Sequence, residues 1–327
     1  MNYRALRVEE QNGAFFRSVK ELSLDQLPAG DVCIQVAYSS LNYKDALSAT
    51  GNKGVSKTFP HTPGIDAAGI VTESADQRFS VGDAVIVTGY DLGMNTPGGY
   101  AEYIRVPADW PLLLPQGLSL RETMILGTAG LTAALGVAAL EQQGFQDGPV
   151  LVTGASGGVG SIAVALLASL NKDVVAATGK IEAQPWLKKL GASRFLGRED
   201  LNQAQKLPLL KGQFGGAIDT VGGIPLENII KQLKPHASVA ACGLVAGAEL
   251  NLTVFPFILR GVNLLGIDSQ NCLMDRRQAL WQKLATEWKV DLSPMVTEVG
   301  LEELEPHIHN ILQGQSSGRV LVRIGGE

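Results

Sequence analysis

The stretch VLVTGASGGVGSIAVALLASL, from Val150 to Leu170, constrains the fold more than any other part of this chain. Gly154, Gly157, Gly158 and Gly160 crowd the junction between an apolar run and an alanine-leucine helix pattern. Glycines there allow a tight turn, let a pyrophosphate approach the backbone, and let helix and strand pack closely. The N–H groups of the first helical turn then bind the anion. The spacing is GxxGxxG with an extra glycine at Gly158, not the plain GxGxxG. A tight structural turn would use the same glycines. The flanking strand, helix and second strand favour a nucleotide, with Ser156, Gly157, Gly158 and Val159 wrapping its pyrophosphate.

The second strand ends in VVAATGK. An NAD site often carries Asp or Glu there, for the ribose hydroxyls. This one offers Thr178 and Lys180, a hydroxyl and an ammonium that suit a 2′-phosphate. NADPH is therefore the expected cofactor. Arg198, after the next strand, is a further cation for the adenosine end. The plainer alternatives are a helix-start lysine and a surface arginine.

A βαβ rhythm runs on from Val150, through GAIDTVGG, PLENIIKQLKP, SVAACGL and VNLLGID, and predicts an open parallel sheet with helices on both faces. The opening region reads differently. VCIQVAYSSL and DAVIVTGY are short strands, introduced by the turns PAGD and SVGD. The closing GRVLVRI is a strand again, expected to share a sheet with the opening half. The expected boundaries are 1–122 and 268–327 for a split β-rich domain, with 123–267 inserted as the nucleotide-binding domain. A chain of 327 residues suits such a two-domain plan.

A net charge of −5 argues against a nucleic-acid partner. The start MNYRALRVEEQ lacks an apolar targeting core, and the helix after Gly160 is too short for a confident membrane span, so a cytoplasmic protein with no membrane partner is expected. Cys33, Cys242 and Cys272 form no CxxC pair and suggest no metal knot.

The segments SSLNYKDALSATG, PGIDAAG, GGYAEY, LGTAGLTAAL, the glycine turn, AACGLVAG and PFILRGVNLLGIDS together resemble the medium-chain dehydrogenase/reductase superfamily. Within it they are most similar to the quinone-oxidoreductase-like branch and its acrylyl-CoA reductase group, over essentially the whole chain. The resemblance implies an α/β fold: a GroES-like β-rich catalytic domain and a doubly wound Rossmann sheet. It also implies a homodimer joined along the VNLLGI edge. Zinc enzymes of the superfamily carry a catalytic cysteine and a Gly-His-Glu motif. Here Asn42 stands at the cysteine position, and Gly64, Ile65 and Asp66 at the motif, so no metal is expected.

The implied reaction is NADPH-dependent reduction of the activated C=C bond of an acyl-CoA thioester, acrylyl-CoA. Hydride goes to the β-carbon and a proton to the α-carbon. A quinone or enone reductase is the alternative, since one fold serves both. Tyr43 is the candidate beside the nicotinamide, supporting the carbonyl or ordering a proton-bearing water. Asn42 is expected to bond substrate or ribose, and Asp45 to anchor that loop. A rigid turn with a packing tyrosine is the alternative. Thr128, Cys242 and Gly243 are expected at the cofactor. Arg319 is the first choice for a CoA phosphate among Arg260, Arg276, Arg277, Arg319 and Arg323.

Overall fold

The closing strand Arg319–Arg323 lies antiparallel to Val32–Ser40 in the computed structural model, which describes residues 1–325. Leu321 pairs with Ser40 and Arg323 with Tyr38, so the two ends of the chain share one sheet as expected. Two units result. The first comprises Met1–Thr128, Gln270–Thr286 and the chain from Val296 on; the second comprises Ala129–Ser269 and Glu287–Met295.

In the first unit the sheet runs Val296–Gly300, Arg319–Arg323, Val32–Ser40, Asp66–Ser74, Ala84–Thr88, Leu112–Leu113, with Tyr103–Val106 also paired to Val32–Ser40. A separate hairpin joins Asn2–Gln11 to Ala14–Ser23. Its two-residue turn uses Asn12 and Gly13 at φ +52° and +79°, the pair of left-handed residues that matches strand twist. Ile34, Val36, Val71, Val85, Val87, Tyr100 and Ile104 lie in the core of this unit.

The second unit holds six parallel strands in the order Ala192–Leu196, Val174–Ala177, Val150–Val152, Gly216–Asp219, Ser238–Ala241, Asn263–Gly266. Counted along the chain this is 3-2-1-4-5-6, the doubly wound order whose direction of winding reverses between strands one and four. Ligands bind outside the carboxyl ends of the strands at that reversal. The helix Gly158–Ser169 follows strand one, capped by Gly157 and ended at Leu170. It is apolar on every side because residues 160–167 are all buried.

A break interrupts Leu120–Gln143 at Gly127, which has φ +53° and ψ −154°. A residue so placed interrupts the helical hydrogen bonds and leaves the next N–H in need of a partner. By length and composition Leu120–Gln143, rather than the helix after Gly160, is apolar enough to cross a membrane. Yet 83% of its apolar window is buried inside the protein, as in the core helix of a globular fold.

Candidate cofactor and active site

The glycine turn leaves strand one at its carboxyl end, beside the reversal point. Gly154 has φ +56°, and a Cβ there would meet Thr220 Oγ1 at 2.2 Å. A Cβ on Gly160 would stand 2.3 Å from the Gly154 carbonyl oxygen. These two glycines serve close packing. Gly157 differs: its only near neighbour would be the Gly154 carbonyl at 3.2 Å, so space remains beside the helix start. There the first-turn N–H groups, which have no intrahelical acceptors, point at the place a pyrophosphate would take.

Thr178 and Ser156 are buried and joined by an Oγ–Oγ hydrogen bond of 2.9 Å, and the Lys180 N–H donates to Thr178 Oγ1 at 3.1 Å. Arg198 Nε lies 3.3 Å from where a Cβ on Gly179 would be. Burial lowers the Lys180 ammonium; Glu182 opposes that shift and the Arg198 charge adds to it. The expected adenosine-end residues are thus gathered at one place. At the end of strand five, Cys242 donates its N–H to the Asp219 carbonyl at 2.9 Å. Burial and the Asp219 charge push its thiol up to about 12, which leaves it unreactive. Gly243 is required where it stands, because a Cβ would lie 1.9 Å from the Thr220 carbonyl oxygen.

Asp219 escaped the sequence reading. Its carboxylate accepts from Thr153 Oγ1 at 2.7 Å and from the Gly222 N–H at 2.8 Å, tying together the ends of strands one and four. The only signal in sequence was an acid closing an apolar strand, GAID.

In the first unit NYKD opens the helix Tyr43–Ala49, with Asn42 as N-cap, rather than forming a bare turn. Asp45, in its first turn, accepts the Asn42 N–H at 2.8 Å. Its other oxygen accepts the N–H groups of Gly64 and Ile65 at 3.2 and 2.8 Å, so the expected anchor has specific partners. Tyr43 is 42% exposed, with its ring on the surface of this unit. Asn42 is half-buried, and its amide is engaged inward. Nδ2 donates to Asp66 at 2.8 Å and to Asp45 at 3.2 Å, while Oδ1 accepts from Arg319 at 3.4 Å. The amide that was expected to bond substrate or ribose is thus engaged with Asp66, Asp45 and Arg319 within this unit.

Arg319 also departs from expectation. It is 2% exposed, and its guanidinium donates to the carbonyls of Ile125 at 2.7 Å and Leu41 at 3.3 Å. A buried guanidinium spent on carbonyls does not meet a phosphate arriving from solvent. Arg277 is likewise buried, on Thr88 O and Oγ1, and Arg260 serves the carbonyls of Lys231, Leu233 and Leu210. Arg276 and Arg323 are the exposed members of that group. Lys44, not singled out in sequence, donates to the Gln270 side chain.

Burial and the neighbouring Asp66 carboxylate raise Asp45 to about 7, against the hydrogen bonds from Asn42 and Ile65. A carboxyl whose folded pKa lies above its unfolded value near 3.9 favours folding while protonated, and loses that contribution as pH rises through the folded value. Wild-type stability relative to Asp45→Asn should therefore fall by about 1–4 kcal/mol between about pH 5 and pH 8. Urea unfolding of both proteins across that range checks it; a constant difference contradicts it.

Residues 28–116 match the family model for the alcohol dehydrogenase GroES-like domain, and residues 158–286 the model for zinc-binding dehydrogenase. Among the described residues no group of three or more His, Cys, Asp or Glu is placed to hold a metal ion. "Putative quinone oxidoreductase YhfP" of Bacillus subtilis is 47% identical over 98% of this chain and 99% of its own. The acrylyl-CoA reductase AcuI of Ruegeria pomeroyi is 45% identical over 97% of each. The yhdH oxidoreductase of Salmonella enterica, solved with NADP, superposes with a TM-score of 0.94 at 46% identity, over 99% of this chain and 100% of that one. The Bacillus subtilis yhfP structure, with NAD bound, superposes with a TM-score of 0.96 at 47% identity, over 99% of both. The chain belongs to the medium-chain dehydrogenase/reductase superfamily, in its quinone-oxidoreductase-like and acrylyl-CoA reductase branch, and is an NAD(P)H-dependent oxidoreductase.

Proposed function

We propose that this protein reduces a conjugated carbonyl compound with NADPH, saturating the C=C bond of an enone or taking a quinone to its hydroquinone. The observation that carries the reading is the full-length likeness, at 45–47% identity, to proteins named as a quinone oxidoreductase and an acrylyl-CoA reductase. Conjugate reduction needs no Lewis acid in principle, which suits Ile65 and Asn42 at the positions where zinc enzymes carry ligands.

Bound NADPH supplies the hydride. The rest falls to the chain. The glycine turn and the start of Gly158–Ser169 hold the pyrophosphate. Lys180, Thr178 and Arg198 recognise the 2′-phosphate and favour NADPH over NADH. Thr128 lies at the nicotinamide end. Tyr43, 42% exposed, donates its hydroxyl to the substrate carbonyl as negative charge develops there. Asn42 and Asp45 hold Tyr43 in place.

Acrylyl-CoA is the second reading, favoured by the name of the Ruegeria pomeroyi relative. The burial of Arg319 removes the cation first chosen for its phosphates and leaves Arg276 and Arg323. Initial rates of NADPH oxidation with a simple enone, a benzoquinone and acrylyl-CoA separate the two. The first reading expects kcat/KM for enone or quinone within about tenfold of that for the thioester, a gap of 1.4 kcal/mol. A preference for acrylyl-CoA above about a hundredfold replaces it with the second.

A further inference from the structure

Asp66 is fully buried at the first position of the strand Asp66–Ser74. Its carboxylate gathers donors from three residues in two separate segments. Oδ2 accepts from Ser40 Oγ at 2.6 Å, from Asn42 Nδ2 at 2.8 Å and from the Thr128 N–H at 2.9 Å. Oδ1 accepts from Thr128 Oγ1 at 2.6 Å and from the same N–H at 3.0 Å. The Thr128 N–H is the one released by the left-handed turn at Gly127. Gly127 itself is pressed against this acid: a Cβ there would lie 2.5 Å from Asp66 Oδ2, 2.8 Å from Ser40 Oγ and 3.0 Å from Arg319 Nη2.

A carboxylate accepts at both oxygens and so satisfies this whole set. A primary amide of the same shape accepts on one side and donates on the other. If its oxygen faces Thr128 Oγ1, its NH2 group meets the NH2 of Asn42. If it is flipped, its NH2 group faces Thr128 Oγ1, which can turn to accept only by giving up its own donated bond.

We propose that Asp66 is a positioning residue of the active site. Through one carboxylate it fixes the Asn42 cap, and with it Tyr43, and the Gly127–Thr128 turn. Turnover then depends on an acid that touches neither substrate nor cofactor. The inference rests on the proposed roles of Tyr43 and Thr128 in reducing a conjugated double bond. Misplacing such groups by about 1 Å can cost on the order of a hundredfold in rate. The adenosine end of the cofactor is held by Ser156, Thr178 and Lys180, in the other unit, which Asp66 does not order.

The test is Asp66→Asn, with Ser40→Ala as a milder variant that removes one donor. Asp66→Asn should lower kcat about tenfold to a hundredfold while the KM for NADPH moves less than about threefold. Ser40→Ala should lower kcat about twofold to fivefold on the same pattern. Adding Asn42→Asp to Asp66→Asn reverses the donor and acceptor of the 2.8 Å bond and should recover part of the lost kcat. Hydrogen–deuterium exchange of peptides covering residues 40–46 and 125–130 should be faster in both single variants. If Asp66→Asn does not fold, Ser40→Ala decides by the same readouts. An unchanged kcat, or equal losses in kcat and NADPH affinity, overturns the proposal. Should wild type reduce no conjugated carbonyl, the function fails, and exchange alone judges the anchor: unchanged rates in the two segments overturn it.

Discussion

Arg319→Leu should destabilise the first unit by about 3–5 kcal/mol, the cost of removing one partner from a buried charge cluster. Three ionisable side chains share that interior: Asp45 and Asp66 are 0% exposed and Arg319 is 2% exposed. Burial lowers the guanidinium from its usual value, and the charges of Asp66 and Asp45 pull it back up. Without it Asp66 and Asp45, whose pKa is raised to about 7, share the interior with no cation beside them. The carbonyls of Ile125 and Leu41 and Asn42 Oδ1 lose a donor as well. Leucine fills much of the volume, so the loss comes from charge and hydrogen bonding more than from a cavity. At about 2–4 °C per kcal/mol, the thermal midpoint should fall by roughly 10 °C. A surface arginine waiting for a phosphate would change it by no more than about 0.5 kcal/mol. A midpoint within a degree of wild type would show that Arg319 is not the cation of this cluster.

Lys180→Ala should raise the KM for NADPH by about tenfold to a hundredfold and leave the KM for NADH within about threefold. A charge-assisted hydrogen bond to phosphate is worth about 1.5–3 kcal/mol. Lys180 is half-buried, its backbone fixed by Thr178 Oγ1, so the side chain starts from a defined place rather than a free surface. In the proposed site Arg198 would keep part of the affinity in the variant, which limits the expected loss. NADH lacks the 2′-phosphate and reports what the lysine does for the ribose alone. Equal losses with the two cofactors would mean that Lys180 does not read the 2′-phosphate. The Bacillus subtilis yhfP structure was solved with NAD bound, so both cofactors belong in the comparison.

The second unit was legible in the sequence because its signals are local. Strand, glycines and helix follow one another from Val150 to Leu170, and Thr178 and Lys180 lie at the next strand end. The helix expected after the glycines forms over Gly158–Ser169, with Gly157 and Leu170 as its caps. The first unit was legible in outline only. Its closing strand could be read as a sheet partner of the opening half, but its polar interior could not. Asp66 meets Thr128 across 62 positions, and Arg319 meets Asn42 across 277. No periodicity records partners that far apart. Asp66 therefore read as a departure from a metal motif, whereas it is the acceptor at a helix break. Arg319 read as a cation for a CoA phosphate at the start of the closing strand; the sheet pairing of Leu321 to Ser40 brings it inside.

The central claim is reduction of a conjugated C=C bond, and the position of the transferred hydrogen tests it most directly. The protein is supplied with an enone and NADPH deuterated at the nicotinamide C4, in both stereoisomeric forms, and the product is analysed by NMR. The account predicts a saturated ketone carrying deuterium on the β-carbon from one of the two forms. An allylic alcohol with deuterium on the carbinol carbon would contradict it and mark the protein as a carbonyl reductase.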